Sequence, residues 1–371
     1  MTIKEKKVAI IGSGSGGRAF AAYLAEKGYS INLGVRTPEN HKTIFTEHVI
    51  TSKGAVSGTF PLDLVSTDYK EIVRGCKLIL IVTPATAQKV IIREIASVLE
   101  AGQIVLLNPG RTWGAIQAYN IISQNNTSGQ IYVGETQTLV FTCRKQKDYG
   151  VNIIKIKDKV NYCFYPEISN GFVKEYLNNA VPELKPVNDI RITSLNNIGA
   201  MVHPATVLLN SGSILRQTKF KFYREGTSAP LADVVEALDK ERCEILDILD
   251  VHGLSLLEWF KSVYGLEAES IAEAFQKNPS YENIGCPERL NMRYLTEDVP
   301  TGLVALSSIG HYLDLDMEIC DSLICLTDNL LHTNFAQNGR TIKNIGVPLK
   351  YLHGKSEKFH KVENRDIKII L

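Results

Sequence analysis

Short apolar runs rich in Val, Ile and Leu recur between residue 7 and about residue 165: "KVAIIG" (7–12), "SINLGV" (30–35), "KLILIVT" (77–83), "QIVLLNP" (103–109) and "QIYVGE" (130–135). Between them stand segments whose apolar residues repeat at helical spacing. In "GGRAFAAYLAEKG" these are Phe20, Tyr23 and Leu24, and "ATAQKVIIREIASVLEAG" reads as a helix that ends on Gly102. Alternating strand and helix patterns predict βαβ units, and hence a mostly parallel sheet. Residues 50–66 and 150–165 read as further, less regular strands.

After "YLNNAVPELKPVNDI" the pattern changes. Pro182 and Pro186 bracket an expected crossing between domains, and long helical patterns dominate from there. In "SAPLADVVEALDKERCEILDILDVHG", Ser228 is placed to cap a helix and Gly253 to stop it, and residues 300–331 read as further helix. The fold class expected is therefore α/β: a Rossmann-type doubly wound sheet over residues 1–184, then an all-helical domain over 185–350. Residues 351–371 form a polar tail of mixed charge, read either as a frayed end or as part of an oligomer contact.

Size and charge narrow the partners. A chain of 371 residues exceeds what one hydrophobic core usually serves. With 41 Lys plus Arg against 40 Asp plus Glu, the chain offers no broad electrostatic attraction for nucleic acid or an anionic membrane. Its seven cysteines form no C-x-x-C pair and no metal-like spacing with histidine, so they read as free thiols in a reducing compartment and no metal site is expected. The apolar run near the start breaks into glycines after four residues and does not read as a signal peptide. No apolar stretch approaches the ~20 residues of a membrane helix. A cytoplasmic protein is expected.

The first chemistry in the chain is "VAIIGSGSGGRAF", which supplies Gly12, Gly14 and Gly17 as G-x-G-x-x-G between a strand and a helix. In that setting the motif is specific for a dinucleotide. Gly12 permits the tight turn, Gly14 (with Ser13 before it) lets the backbone approach a pyrophosphate, and Gly17 lets helix and strand pack closely. The end of the second strand selects the dinucleotide. In "INLGVRTPEN" no acid stands where a ribose 2′-hydroxyl is normally held, and Arg36 with Thr37 is suited to a 2′-phosphate, so NADP(H) is favoured over NAD(H). The next strands end in "IVTPATAQ" and "LLNPGRTWGA", which makes Thr83, Pro84, Asn108 and Gly110 candidates for the walls around a nicotinamide. Taken singly, these four are ordinary turn residues.

In the second half, "NNIGAMVHPATVLLN" sets His203 inside an apolar run. Alone, such a histidine reads either as a satisfied core residue or as a proton donor; imidazole suits the second role because its unperturbed pKa of about 6.5 lies near working pH. The segments "NNIGAMVHPATVLLNSG", "FKFYREGTSAPLADVVEALDKER" and "RYLTEDVPTGLVALSSIG", with "LNPGRTWGA" and "GETQTLVFTCR" in the first half, resemble the octopine/nopaline (opine) dehydrogenase family over about residues 7 to 335. The resemblance implies a dinucleotide-binding domain followed by a helical domain. It also implies reductive condensation of an amino acid with a 2-oxo acid, pyruvate by preference, to a secondary amine dicarboxylate.

By the same resemblance His203 is the catalytic histidine, Asp298 its carboxylate partner, and Arg293 the group that grips the oxo acid's carboxylate. Asn197, or its neighbour Asn196, is a substrate-side asparagine. Read from the residues alone, Arg293 could equally pair with Glu297, Glu297 could be a solvated or helix-capping acid, and Asp298 could simply open a helix. Specificity for the amino donor is expected to sit in the helical domain and in loops such as 111–119, and a homodimer through the helical domain is favoured. Two rivals stay open: another two-domain reductase, of the glycerol-3-phosphate or ketopantoate type, and a dinucleotide-binding sensor without catalysis. The former relatives centre proton transfer on lysine, whereas residues 190–215 offer histidine and no lysine, although Lys219 and Lys221 follow closely.

Overall fold

The computed structural model describes residues 6–147, 149–168 and 170–354. Residues 1–5 of the lysine-bearing start and 355–371 of the expected tail lie outside the described residues. The chain divides into two compact units after Ser194, later than the prolines suggest. The reason is that Pro186 is not in a linker: it ends a strand that pairs within the first unit.

The first unit holds β1 (Lys7–Ile11), β2 (Ser30–Gly34), β3 (Val49–Gly54), β4 (Gly58–Pro61), β5 (Leu64–Ser66), β6 (Leu78–Ile81), β7 (Ile104–Leu107), β8 (Tyr132–Thr136), β9 (Phe141–Lys145), β10 (Gly150–Ile156), β11 (Val160–Phe164) and β12 (Leu184–Pro186). The main sheet runs β5-β2-β1-β6-β7-β8-β11-β12. Its pairs are parallel from β5 to β8, and β11 lies antiparallel to β8. The chain winds outward from β1 in one direction, then returns to lay β6 on its other side. This reversal is the topological switch point of a doubly wound fold, and ligands bind at the carboxyl ends of the strands there. Every residue of β6 and β7 is buried, which fits central strands covered on both faces.

The runs expected as irregular strands are divided between two sheets: they supply β5 and β11 to the main one and β3, β4 and β10 to a second, β4-β3-β10-β9, whose β9 lies outside them. This second sheet packs on the helix Ser15–Glu26 through Phe141, whose ring meets Phe20 edge to face with centroids 4.8 Å apart. The helix Ala85–Ile95 stops short of Gly102; a 3-10 turn, Ala96–Val98, ends it, and Gly102 serves the following turn at φ +83°.

Among its described residues the second unit consists of helices joined by irregular chain, and the only β pairing is a single bridge between Lys221 and Gly285. Its longest helix, Ala229–Ile248, starts after Ser228 as expected, although the serine side chain makes no capping bond. It ends well before Gly253. Asp250 takes the left-handed position at φ +54° instead, and Gly253 is needed where a side chain would strike Leu246 and Asn196. Arg242 of this helix is fully buried; it pairs with Asp239 at 2.6 Å and donates to the Leu254 carbonyl at 2.6 Å, pinning the loop that follows. Tyr351 and Leu352, placed by the sequence in a polar tail, are buried. No described helix is long and apolar enough to cross a membrane.

Candidate active site

In the first unit the glycine-rich turn joins β1 to the helix Ser15–Glu26. Gly12 stands at φ +121°, where a side chain would strike the Val82 carbonyl, and a Cβ on Gly17 would overlap the carbonyl oxygen of Gly12. Both positions therefore require glycine. Gly14 differs: a Cβ there meets nothing within 4 Å. The helix begins at that open side with no side-chain cap and no acid in its first turn, so its first N–H groups and dipole favour an anion.

Thr83 and Pro84 follow β6 at the switch point, and the half-buried Thr83 hydroxyl has no hydrogen-bond partner among the described residues. These features fit a dinucleotide, with its diphosphate over the glycines. Arg36 is exposed and Thr37 half-buried just beyond β2. Asn108 accepts from Thr136 at 3.2 Å and is 1 % exposed. Gly110 leaves room for the Glu135 side chain. The stretch 111–119 is only partly a loop, because a helix starts at Gly114; Arg111 and Trp113 before it both take φ +60°, strain of a kind that concentrates at functional sites.

In the second unit His203 lies on the helix Ile198–Leu209, and Asp298 on the segment that links the turn Arg293–Thr296 to a π-helical turn, Val299–Leu303. Gly302 makes their meeting feasible: a Cβ there would sit 2.6 Å from the Ala200 Cβ, so only glycine lets the helix come this close. The imidazole Nδ1 lies 2.7 Å from Oδ2 of Asp298, and Nε2 lies 3.0 Å from the Tyr223 hydroxyl. The Tyr294 ring stacks on the imidazole, centroids 4.2 Å apart. Asp298 is 2 % exposed at its side chain against 18 % for His203, so the carboxylate is the sealed partner and the ring is the accessible one. Asp298 does stand at the start of the π-helical turn, as the helix-opening reading has it, but its side chain makes no capping bond and its Oδ2 faces the imidazole instead.

Tyr223 and Tyr294 were not among the residues singled out from the sequence. Tyr294 precedes Asp298 by four positions, one helical turn, and that spacing was a usable signal. Tyr223 sits in a turn outside any helix; the segment "FKFYREG" that holds it carried the family resemblance, but no spacing tied it to His203. Arg293 does form the ion pair with Glu297, Nε to Oε2 at 2.9 Å, and Glu297 is buried rather than solvated. The guanidinium is 58 % exposed, and its terminal nitrogens make no hydrogen bond among the described residues. Of the two asparagines, Asn196 is engaged structurally, donating to the His252 carbonyl at 3.3 Å and accepting from Arg242 at 3.4 Å. Asn197 is buried at the start of the helix that carries His203, beside Gly302.

Comparison with known proteins bears on this chemistry. An opine dehydrogenase of Arthrobacter sp. (strain 1C) is 35% identical over 346 residues, 93% of this chain and 96% of the relative. The chain belongs to the octopine/nopaline (opine) dehydrogenase family. It is thus an NAD(P)-dependent oxidoreductase acting on CH–NH donors. The family model for the NAD/NADP octopine/nopaline dehydrogenase alpha-helical domain matches residues 186–331. That for the N-terminus of NAD-dependent glycerol-3-phosphate dehydrogenase matches residues 7–109. Of the two two-domain rivals, the glycerol-3-phosphate type is thus echoed in the nucleotide-binding part alone.

Among solved structures, octopine dehydrogenase with NADH and L-arginine has a TM-score of 0.74 at 17% identity, covering 93% of this chain and 95% of its own. The same enzyme with NADH and pyruvate gives 0.69 at 16% identity, with the same coverage. Yersinopine dehydrogenase with NADP+ gives 0.72 at 12% identity, covering 98% and 99%. These likenesses establish the opine dehydrogenase fold.

Proposed function

We propose that this opine dehydrogenase family member condenses the amino group of an amino acid with a 2-oxo acid, pyruvate being favoured, and reduces the product with NADPH to a secondary amine dicarboxylate. The observation that carries the reading is the 2.7 Å contact between His203 Nδ1 and Asp298. A carboxylate there accepts from Nδ1–H, which fixes the tautomer, orients the ring and leaves Nε2 to exchange the proton. Condensation releases water from the oxo carbon, and the protonated ring supplies the proton that makes the oxygen leave. The bound dinucleotide supplies the hydride that reduces the resulting C=N bond. A proton to the nitrogen completes the amine, and the ring is the group suited to carry protons in both directions.

Arg293 is assigned the oxo acid's carboxylate. Its Nε is already steadied by Glu297, and two terminal N–H groups suit a bidentate clamp. Asn197 is assigned to the substrate side. For the cofactor, Gly12, Ser13, Gly14 and Gly17 take the diphosphate, Arg36 and Thr37 the 2′-phosphate that separates NADPH from NADH, and Thr83 and Pro84, with the Asn108–Gly110 loop, the nicotinamide end.

The test is a matrix of 2-oxo acids against amino acids with each cofactor, read by cofactor oxidation and product mass. Oxidation that requires both organic substrates, with a product mass equal to their sum less oxygen, supports the assignment. Oxidation by the oxo acid alone would favour the ketopantoate-like reading, and binding without turnover across the matrix would favour a sensor.

A further inference from the structure

Beside the glycine-rich turn three side chains form a chain of hydrogen bonds whose directions follow from valence alone. Arg18, on the helix Ser15–Glu26, is fully buried. Its Nε donates to the Ser13 carbonyl at 3.0 Å, Nη1 to the Gly150 carbonyl at 3.0 Å, and Nη2 meets Nδ1 of His41 at 2.9 Å. A guanidinium has donors only and keeps its proton, so Nδ1 of His41 must be the acceptor and carries no hydrogen. The neutral ring then carries its hydrogen on Nε2. That nitrogen lies 3.0 Å from the Ser13 hydroxyl oxygen, which must accept. A hydroxyl that accepts still has one hydrogen to give, and Ser13 stands between Gly12 and Gly14, next to the open space over Gly14.

We propose that His41 is a positioning residue for the cofactor: held by Arg18 as the Nε2–H tautomer, it engages the lone pairs of Ser13 and so aims the serine O–H at the dinucleotide's diphosphate. The inference rests on the reading of this turn as the diphosphate site. Three groups on three segments converge here: Ser13 in the turn, Arg18 on the following helix, and His41 at the end of the short 3-10 helix Pro38–His41. The neutral ring is what the surroundings favour. Burial first, then the charges of Lys145 and Arg18, push the His41 imidazole down to about 4. Protonation would also set an N–H against the Arg18 donor.

The experiment uses the full chain without organic substrates and reads dissociation constants for NADPH and NADH, with circular dichroism confirming the fold of each variant. Ser13→Ala and His41→Leu should each weaken the dinucleotide by roughly tenfold, the effect of losing one hydrogen bond to a charged group. The double variant should be no weaker than Ser13→Ala, because the two residues act on one bond. His41→Gln should bind within about threefold of the parent, since its amide offers an acceptor and a donor in the ring's two roles.

Nitrogen-15 spectra of the histidine rings in the cofactor-free parent at neutral pH should show His41 with hydrogen on Nε2 only. A ring protonated on Nδ1 overturns the proposal even if His41→Leu fails to fold, and so does a folded Ser13→Ala that binds like the parent. A parent protein that binds neither dinucleotide defeats the underlying reading of the turn instead, which separates the two failures.

Discussion

At His203 the two ring nitrogens are assigned by their neighbours: one faces a sealed carboxylate, the other a tyrosine hydroxyl. Replacing the ring by His203→Ala should lower turnover by about 10²–10⁴-fold, the usual contribution of a positioned acid–base group, while affinity for the dinucleotide stays put. Near-parental turnover would remove His203 from the mechanism. Tyr223→Phe keeps the aromatic packing but deletes the hydroxyl that occupies Nε2. It should change the pH–rate profile and kcat more than KM, and an unaltered profile would reduce Tyr223 to a packing residue. Asp298→Asn, which leaves the shape but not the charge, should slow turnover strongly. His203, Asp298 and Arg293 could be singled out in the sequence because they sit in motifs, and the structure brings the first two into contact. Tyr223 was not, although the segment "FKFYREG" holds it, because its link to the ring crosses the rest of one helix, the short helix Ser211–Leu215 and irregular chain, with no common periodicity. Nor could the sequence show that the Arg293–Glu297 pair and a substrate role for Arg293 are compatible; that depends on which nitrogens the pair leaves exposed.

Two elements meet at Gly302, and their separation sets the dyad. A side chain on Gly302 would press on Ala200 and move the helix Ile198–Leu209 away from the segment bearing Asp298. Gly302→Val should cost about 1–3 kcal/mol of stability in urea unfolding, as overpacking does. It should also lower kcat further than the remaining folded fraction explains. Gly302→Ala combined with Ala200→Gly should recover much of both, since the exchange returns one methyl's worth of space. A double variant no better than Gly302→Ala would mean that this contact does not govern the dyad. The three-residue β12 of the main sheet was taken for a domain crossing, but β1, β2, β6, β7 and β8 were readable because each is a mostly buried apolar run of ordinary length. The small sheet was not, because β3 and β10 pair in parallel across about a hundred positions and nothing local announces such a partner. Helix ends misled for a related reason: Gly253 looked like a stop, but Asp250 takes the left-handed turn and the glycine serves a close approach.

For the whole molecule the near-balance of 41 basic and 40 acidic side chains makes net charge a weak lever on stability around neutral pH, so buried bases stand out. Lys157 donates to Thr138 at 3.1 Å, and burial pushes its ammonium down to about 8 from an ordinary 10.5, against a small opposing pull from Cys143. Between pH 8 and 10.5 the unfolded chain therefore holds a proton at this site that the folded chain has released, and stability contributed by Lys157 rises with pH across that window. Below pH 8 both states are protonated and the site's cost is constant. His41 behaves alike at lower pH: its contribution is complete above about 6.5 and is lost as pH falls toward 4. Buried thiols such as Cys143, pushed up to about 11 by burial, act in the opposite sense at high pH, so only differences between variants isolate a single base. Urea unfolding of the parent and Lys157→Met at intervals from pH 7 to 10.5 supplies that difference. The variant's advantage should be greatest at pH 7–8 and should shrink steadily toward pH 10.5. The matching series with His41→Gln from pH 6.5 to 4 should show the variant gaining on the parent as pH falls. A difference that stays flat across its window would mean that the base in question titrates alike in the folded and unfolded chains, and that its burial does not hold in solution.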